Sequence, residues 1–212
     1  MRKTIIAGIL MSALSTGTPL FAQKSDTDVA ALNQRVAQLE KQVAEMSQLL
    51  EPLRTQQAAD NRRKVLRAKF DQRLAADRAK HTQEEMRDAE GLYQVANQKW
   101  GTPEATESLQ TMIRKYPDIN RTGCAVLYVA QMSKGDDRAR NLQDCIDKYH
   151  DCMYGDGVQV GIYARYIMML DAREKGDTRK ADELANELKS KFPEAVDHSG
   201  NLLAENLKAE SK

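Results

Sequence analysis

The stretch "IRKYPDI", residues 113–119, decides how this chain is read. It is an amphipathic run closed by an aromatic and a proline, and its outline returns as "DKYHDC" at 147–152 and "SKFPEA" at 190–195. Each carries lysine, an aromatic, any residue, then an acid. Aligning Tyr116, Tyr149 and Phe192 brings further positions into step: Leu109 with Leu142, Met112 with Cys145 and Leu188, and Ala105 with Ala181. A glycine-containing turn precedes each unit, "WGTPE" at 100–104, "KGDDR" at 134–138 and "KGDTR" at 175–179, and a second helical pattern precedes each turn. The aromatics lie 33 and then 43 residues apart, as if about nine residues had entered at "CMYGDGVQV". Helix, turn and helix at such a period predict stacked hairpins, because one hairpin cannot bury both of its faces. Thr102 before Pro103 is a helix start, and Gly135 and Gly176 suit left-handed turns. The stretch "HSGNLLAENLKAE", with Leu202, Leu203 and Leu207 on one side, reads as a closing helix.

Working outward, residues 29–53 place Val29, Leu32, Val36, Leu39, Val43, Met46, Leu50 and Leu53 at alternating steps of three and four. That is an unbroken heptad seam, with branched valines at one position and mostly leucine at the other, flanked by Arg35 and Glu40. So narrow a stripe has little to bury against within its own chain, and it predicts a homo-oligomer, dimer or trimer. A helix folded back on the globular part is the competing reading, since four heptads are marginal alone. Pro52 is expected to interrupt or kink the helix. Residues 54–81 follow as a basic helical connector, read as facing water, with contact to a membrane or wall as its sharper alternative. Thr82 with Glu85 forms a capping box that opens the globular end.

Residues 1–22 read as an export signal: Arg2 and Lys3, an apolar stretch, and a cut between Ala22 and Gln23. The run is short for a spanning helix, and no cysteine stands at the cut to take a lipid. The chain is expected to be exported, periplasmic or secreted, and not a lipoprotein. With a formal net charge of +1 over 212 residues, 30% charged and 5% aromatic, nothing draws it to nucleic acid. The composition suits helices and a lean core.

Export bears on Cys124, Cys145 and Cys152, because thiols outside the cytoplasm tend to pair. Cys145 takes the place that Met112 and Leu188 fill elsewhere and reads as core. A Cys124–Cys152 disulfide is therefore expected, bringing together the start of one helix and the end of its neighbour. His150 beside Cys152 invites a thiol-enzyme reading, but nothing supplies a lowered pKa or an orienting group. The cysteine and histidine spacings match no common zinc pattern, and Asp156 is too few hard ligands for calcium. No catalytic residue, metal or cofactor is expected.

The repeated units resemble the tetratricopeptide repeat family, carried by the glycine–aspartate turns, Ala105 and Ala181, Leu109, and Pro117 and Pro193 twelve residues after those alanines. The middle unit departs, with Asp151 where proline is usual, and Ala89 and Gly123 stand where a bulky residue is common. The resemblance covers about residues 83–207 and implies an inner surface lined by first helices, here Tyr93, Asn97, Tyr128, Gln131 and Arg165. With signal, coiled-coil stalk (23–53), connector (54–81) and repeat domain (82–212) in that order, the chain is similar to periplasmic Tol–Pal-associated coordinator proteins. That resemblance implies an all-α, non-catalytic scaffold that oligomerises through its coiled coil, binds a protein or peptide partner of the cell envelope, and helps coordinate outer-membrane constriction with wall synthesis.

Overall fold

A computed structural model describes the backbone of residues 20–209 and the side chains of residues 29–207. The expected signal lies outside the described residues except for its last turn, and the side chains at the Ala22–Gln23 junction lie outside them too. The described chain is all-helical: α1 (Leu20–Lys80), α2 (Gln83–Gln98), α3 (Pro103–Lys115), α4 (Asn120–Met132), α5 (Gly135–Asp147), α6 (Val160–Glu174), α7 (Thr178–Lys191) and α8 (Leu203–Ala209). No described helix is long and apolar enough to cross a membrane. The chain divides into two units, residues 1–56 and 57–212.

In the first unit the described part is α1 alone. Its seam residues, from Val29 to Leu53, are each 44–63% exposed, and Leu49 is 76% exposed. Pro52 lies inside the helix, which is not interrupted there, so of the two expected outcomes the break is not made. The proline withholds an N–H from the Gln48 carbonyl, and on so exposed a helix water can take that carbonyl's hydrogen bond.

The second unit is built from α-hairpins whose starts are fixed locally. The Thr82 hydroxyl accepts from the Glu85 N–H at 3.2 Å while the Glu85 carboxylate accepts from the Thr82 N–H at 2.8 Å. Thr102 caps α3 by accepting from the Ala105 N–H, with Pro103 in the first turn. The antiparallel pairing of α2 with α3 shows in its cross-links: Ser108 donates to the Leu92 carbonyl at 2.8 Å, and the Tyr116 hydroxyl donates to Asp88 at 2.6 Å. Small side chains at Ala89, Ala96, Ala105, Ala125 and Ala130 are almost wholly buried and let helices approach closely, and Leu109, Met112, Leu127 and Leu142 fill the space between. A second cluster joins Met169, Leu188, Leu203 and Leu207 of α6, α7 and α8.

The hairpin junctions differ in length and share one loop geometry. Helix α4 begins four residues after Tyr116, whereas α6 and α8 begin eleven residues after Tyr149 and Phe192. The extra residues form the same loop twice, 43 positions apart. Tyr154 N–H donates to the Val158 carbonyl at 2.8 Å and Gly157 N–H to Tyr154 at 3.0 Å; Asp197 donates to Asn201 at 2.9 Å and Gly200 to Asp197 at 2.9 Å. Val160 closes on Cys152 at 2.8 Å as Leu203 closes on Ala195 at 2.9 Å. Isolated bridges pair Met153 with Gln159 and Val196 with Leu202. Gly157 and Gly200 hold left-handed φ of 98° and 84° at matching places. By this register α8 corresponds to the opening of α6.

Residues 57–80 of α1 are mostly exposed, but one face of the helix braces these junctions. One stripe of the helix meets each in turn. Asp77, 1% exposed, accepts the Asn120 N–H at 2.9 Å and pairs with Arg73 at 3.0 Å, and Arg73 donates to the Asp118 carbonyl at 3.1 Å. Asn120 in turn exchanges two 2.8 Å bonds with the Met153 backbone. Phe70 lies near Gly155, Leu66 is packed on Gly157, and Arg62 reaches Glu194 at 3.0 Å. Burial raises the Asp77 carboxyl pKa, with the Asn120 N–H and Arg73 pulling it back, so part of this contact's energy goes into holding a charge out of water. Asp77→Ala is expected to cost roughly 2–4 kcal/mol in urea unfolding, since it strands a buried donor and Arg73. Asp77→Asn, which keeps an acceptor without the charge, should cost less than half as much. Gly157→Ala should cost roughly 1–3 kcal/mol, because its Cβ would sit 2.9 Å from the Leu66 Cβ at a positive φ.

Candidate functional site

Aromatic side chains run across the hairpins in an unbroken row. The exposed Trp100, in the turn after α2, meets Tyr128 of α4 edge-on with ring centroids 4.9 Å apart. Tyr128 also lies 5.0 Å from Tyr93 of α2 and 6.3 Å from Tyr154 in the first copied loop. Tyr154 is edge-on to His198 of the second loop at 4.8 Å, and His198 to Tyr163 of α6 at 5.1 Å. These spacings and angles are the favourable geometries of ring pairs. Six rings from helices α2, α4 and α6, the turn after α2 and both loops are thus linked in one chain of contacts.

The five residues expected on the inner surface are placed differently from one another. Tyr93 is buried beneath the Arg121 guanidinium, 4.5 Å from its ring centroid, so it supports the row from within. Burial pushes its phenol pKa up. Tyr128 and Gln131 are half-buried and Asn97 is exposed, with the Asn97 amide donating to Gln94 at 3.2 Å. Arg165 is turned into its own hairpin: it donates to the Gly161 carbonyl at 2.9 Å, pairs with Glu187 at 3.5 Å and lies over the Phe192 ring. The reason is local, since α7 presents the carboxylate and the ring that a guanidinium prefers. Trp100, 50% exposed, is the surface aromatic that the sequence reading passed over. Its signal was present: the single tryptophan of the chain sits in a polar turn.

The two copied loops touch through Asp156 and His198, whose ring Nδ1 lies 2.8 Å from Asp156 Oδ2. Asp156 Oδ1 accepts the Val158 N–H at 3.1 Å. Burial works against ionisation of Asp156, but the His198 ring and the Val158 N–H outweigh it and hold its pKa below the usual range. Between these loops and residues 59–67 of α1 lies a cavity of about 340 Å³, walled on the helix side by Arg62, Arg63 and Arg67.

The expected Cys124–Cys152 disulfide is not made: Cys124, Cys145 and Cys152 are all free and buried. Cys152 lies flush against Gly123, where a Cβ would stand 2.4 Å from its own Cβ. The missing side chain at Gly123 gives Cys152 a seat in the core as a small apolar residue. Burial raises all three thiol pKa values, that of Cys152 to about 11 despite the pull of Arg73. A nucleophilic thiol needs the opposite shift. His150 is exposed, and among the described residues no cluster of His, Cys, Asp and Glu is arranged to hold a metal.

Comparison with protein-family models, with curated proteins and with solved structures found no match. The burial of the thiols predicts that 5,5′-dithiobis(2-nitrobenzoate) at pH 8 will titrate almost no thiol in the reduced native protein. In guanidinium chloride it should titrate three per chain, matching the three cysteines. One thiol per chain from protein purified out of an oxidising compartment would instead restore the Cys124–Cys152 bond.

Proposed function

We propose that this protein is a non-catalytic exported scaffold of the cell envelope. Residues 23–53 form a coiled coil that assembles two or three copies, and the hairpins of residues 82–212, stacked as tetratricopeptide-like repeats, present a surface to a protein or peptide partner. The observation that carries this reading is the uncovered seam from Val29 to Leu53, whose eight apolar side chains are all exposed in the single chain. At about 1 kcal/mol for each half-buried side chain, two such seams together outweigh most of the roughly 4–15 kcal/mol that association costs. Arg35 and Glu40 stand at the flanking positions that pair between parallel helices in register. At the other end, the half-exposed Trp100 on Tyr128 supplies the kind of rigid aromatic anchor that dominates binding energy at protein interfaces.

The brace bears on the alternative, an envelope spacer that touches membrane or wall through its basic connector. Arg62 and Arg73 are turned inward onto Glu194 and Asp77, which leaves that reading the outward cations only. It also sets where the chain can be cut: a fragment starting at Thr82 would lose the brace, so stalk and globular unit are separated at the Gln56–Gln57 boundary instead.

Sedimentation equilibrium of the mature chain at tens of micromolar should give a dimer or trimer. The double variant Val36→Lys/Val43→Lys should give a monomer with an unchanged thermal melt of the globular unit. A monomeric wild type would end the scaffold reading. Affinity capture from envelope extracts should recover a partner with the wild type and several-fold less with Trp100→Ala, whose fold is expected to survive because the ring is half in solvent.

A further inference from the structure

Beside the seam of residues 29–53 stand two charges that their own helix leaves unanswered. Arg35 and Glu40 are both exposed. A neighbour on the same helix that could pair with either would stand three or four residues away. Those places hold Ala31, Leu32, Gln38 and Leu39 around Arg35, and Val36, Ala37, Val43 and Ala44 around Glu40. None of these is charged. Lys41 and Glu45, by contrast, meet each other within the helix at 3.9 Å. They occupy positions turned away from the seam, so the intrahelical pair is spent on the outer face and the unanswered charges lie at the edge of the apolar stripe.

The order of the flanks decides what can answer them. Arg35 stands one residue before Val36, and Glu40 one residue after Leu39. Across two parallel helices in register, these two flanks face each other from chain to chain. Arg35 of each chain then meets the partner's Glu40, once on either side of the seam. The same geometry sets Leu49, 76% exposed, against the partner's Arg54, whose methylene stem can cover it. An antiparallel pair with every layer filled would put Val29 on Leu53 and Val36 on Met46, and each flank on its own copy. Arg35 would then face Gln42 or Leu49, and Glu40 would face Ser47 or another Glu40, with no opposite charges brought together. Inside the seam, Val29, Val36 and Val43 take one position and Leu32, Leu39 and Leu53 the other. Valine and leucine in those places favour two strands over three.

We propose that the occupant of this seam is one second copy of the chain, parallel and in register, with Arg35 of each copy paired to the partner's Glu40. The inference rests on the scaffold reading and narrows it from two or three copies to a single arrangement.

Sedimentation equilibrium of the mature chain should give twice the chain mass. Leu32→Cys, oxidised under native conditions, should give a disulfide-linked pair on a non-reducing gel that the wild type lacks. In the antiparallel pair position 32 would face position 50 and lie about 27 Å from its own copy, beyond the reach of a disulfide. Arg35→Glu and Glu40→Arg should each raise the dissociation constant about tenfold at low salt, and by less in 1 M sodium chloride. An equimolar mixture of the two variants should recover wild-type association, because each mixed pair sets opposite charges at both contacts. A trimer mass, Leu32→Cys chains that cross-link only when mixed with Leu50→Cys chains, or a mixture no tighter than its components would each overturn the arrangement and leave the scaffold reading standing. A monomer would end both.

Discussion

The globular unit depends on one buried carboxylate. Helix α4 starts after Ile119, which has no side-chain oxygen to satisfy the first N–H groups. Asp77, forty-three residues earlier, does it instead by accepting the Asn120 N–H. An acid at that place also meets the positive end of the α4 dipole. Because Asn120 holds the Met153 backbone in both directions, the same carboxylate indirectly orients the first copied loop. Capping from a distance ties the brace to the repeats more firmly than apolar packing would, since hydrogen bonds fix register where a greasy stripe can slide. Leu66 is then the one buried apolar side chain of the brace.

The same economy explains the junctions. Helix α6 has no side-chain cap. The loop before it meets the need with backbone bonds of its own, turning at a left-handed glycine and returning on the Cys152 carbonyl, and the loop before α8 repeats those bonds on the Ala195 carbonyl. The first junction has no such loop, and it is the one that receives Asp77. Loop and carboxylate are alternative solutions to one problem, how to start the next helix after an aromatic helix end. A lean core also accounts for tyrosine in the aromatic row: Tyr154 is buried yet donates to the Cys124 carbonyl at 3.3 Å, so one ring supplies both area and a hydrogen bond.

What the sequence disclosed was what short-range chemistry decides. The Thr82–Glu85 box, Thr102 before Pro103 and the glycine turns are readable because their partners lie within four residues. The heptad pattern of residues 29–53 is readable as a pattern, and its side chains are exposed in the single chain. The brace was not readable, because its inward stripe mixes Arg62, Leu66, Phe70, Arg73 and Asp77, and three of these are charged residues that pattern reading assigns to solvent. The inserted segment was visible as a spacing irregularity, but its identity with residues 196–202 was not, since "MYGDGVQ" and "VDHSGNL" share a glycine position and little else. Backbone hydrogen bonds repeat there while side chains do not. Arg165 and Tyr93 were misplaced for a related reason: helical phase says which residues share a face, and a neighbouring carboxylate or guanidinium decides where a long side chain goes.

The thiols are where the expectation of export and the structure diverge. An oxidising compartment favours a bond between two of three nearby cysteines, yet disulfide exchange begins with attack by a thiolate. Here burial opposes the thiolate at every cysteine, and Gly123 seats Cys152 against the helix that carries Cys124 without the two bonding. Once the hairpins have closed, oxidation would require opening the unit at the junction that Asp77 and Arg73 hold. Arg73, which pairs with Asp77, also lies beside Cys152, so the brace and that thiol share one buried site.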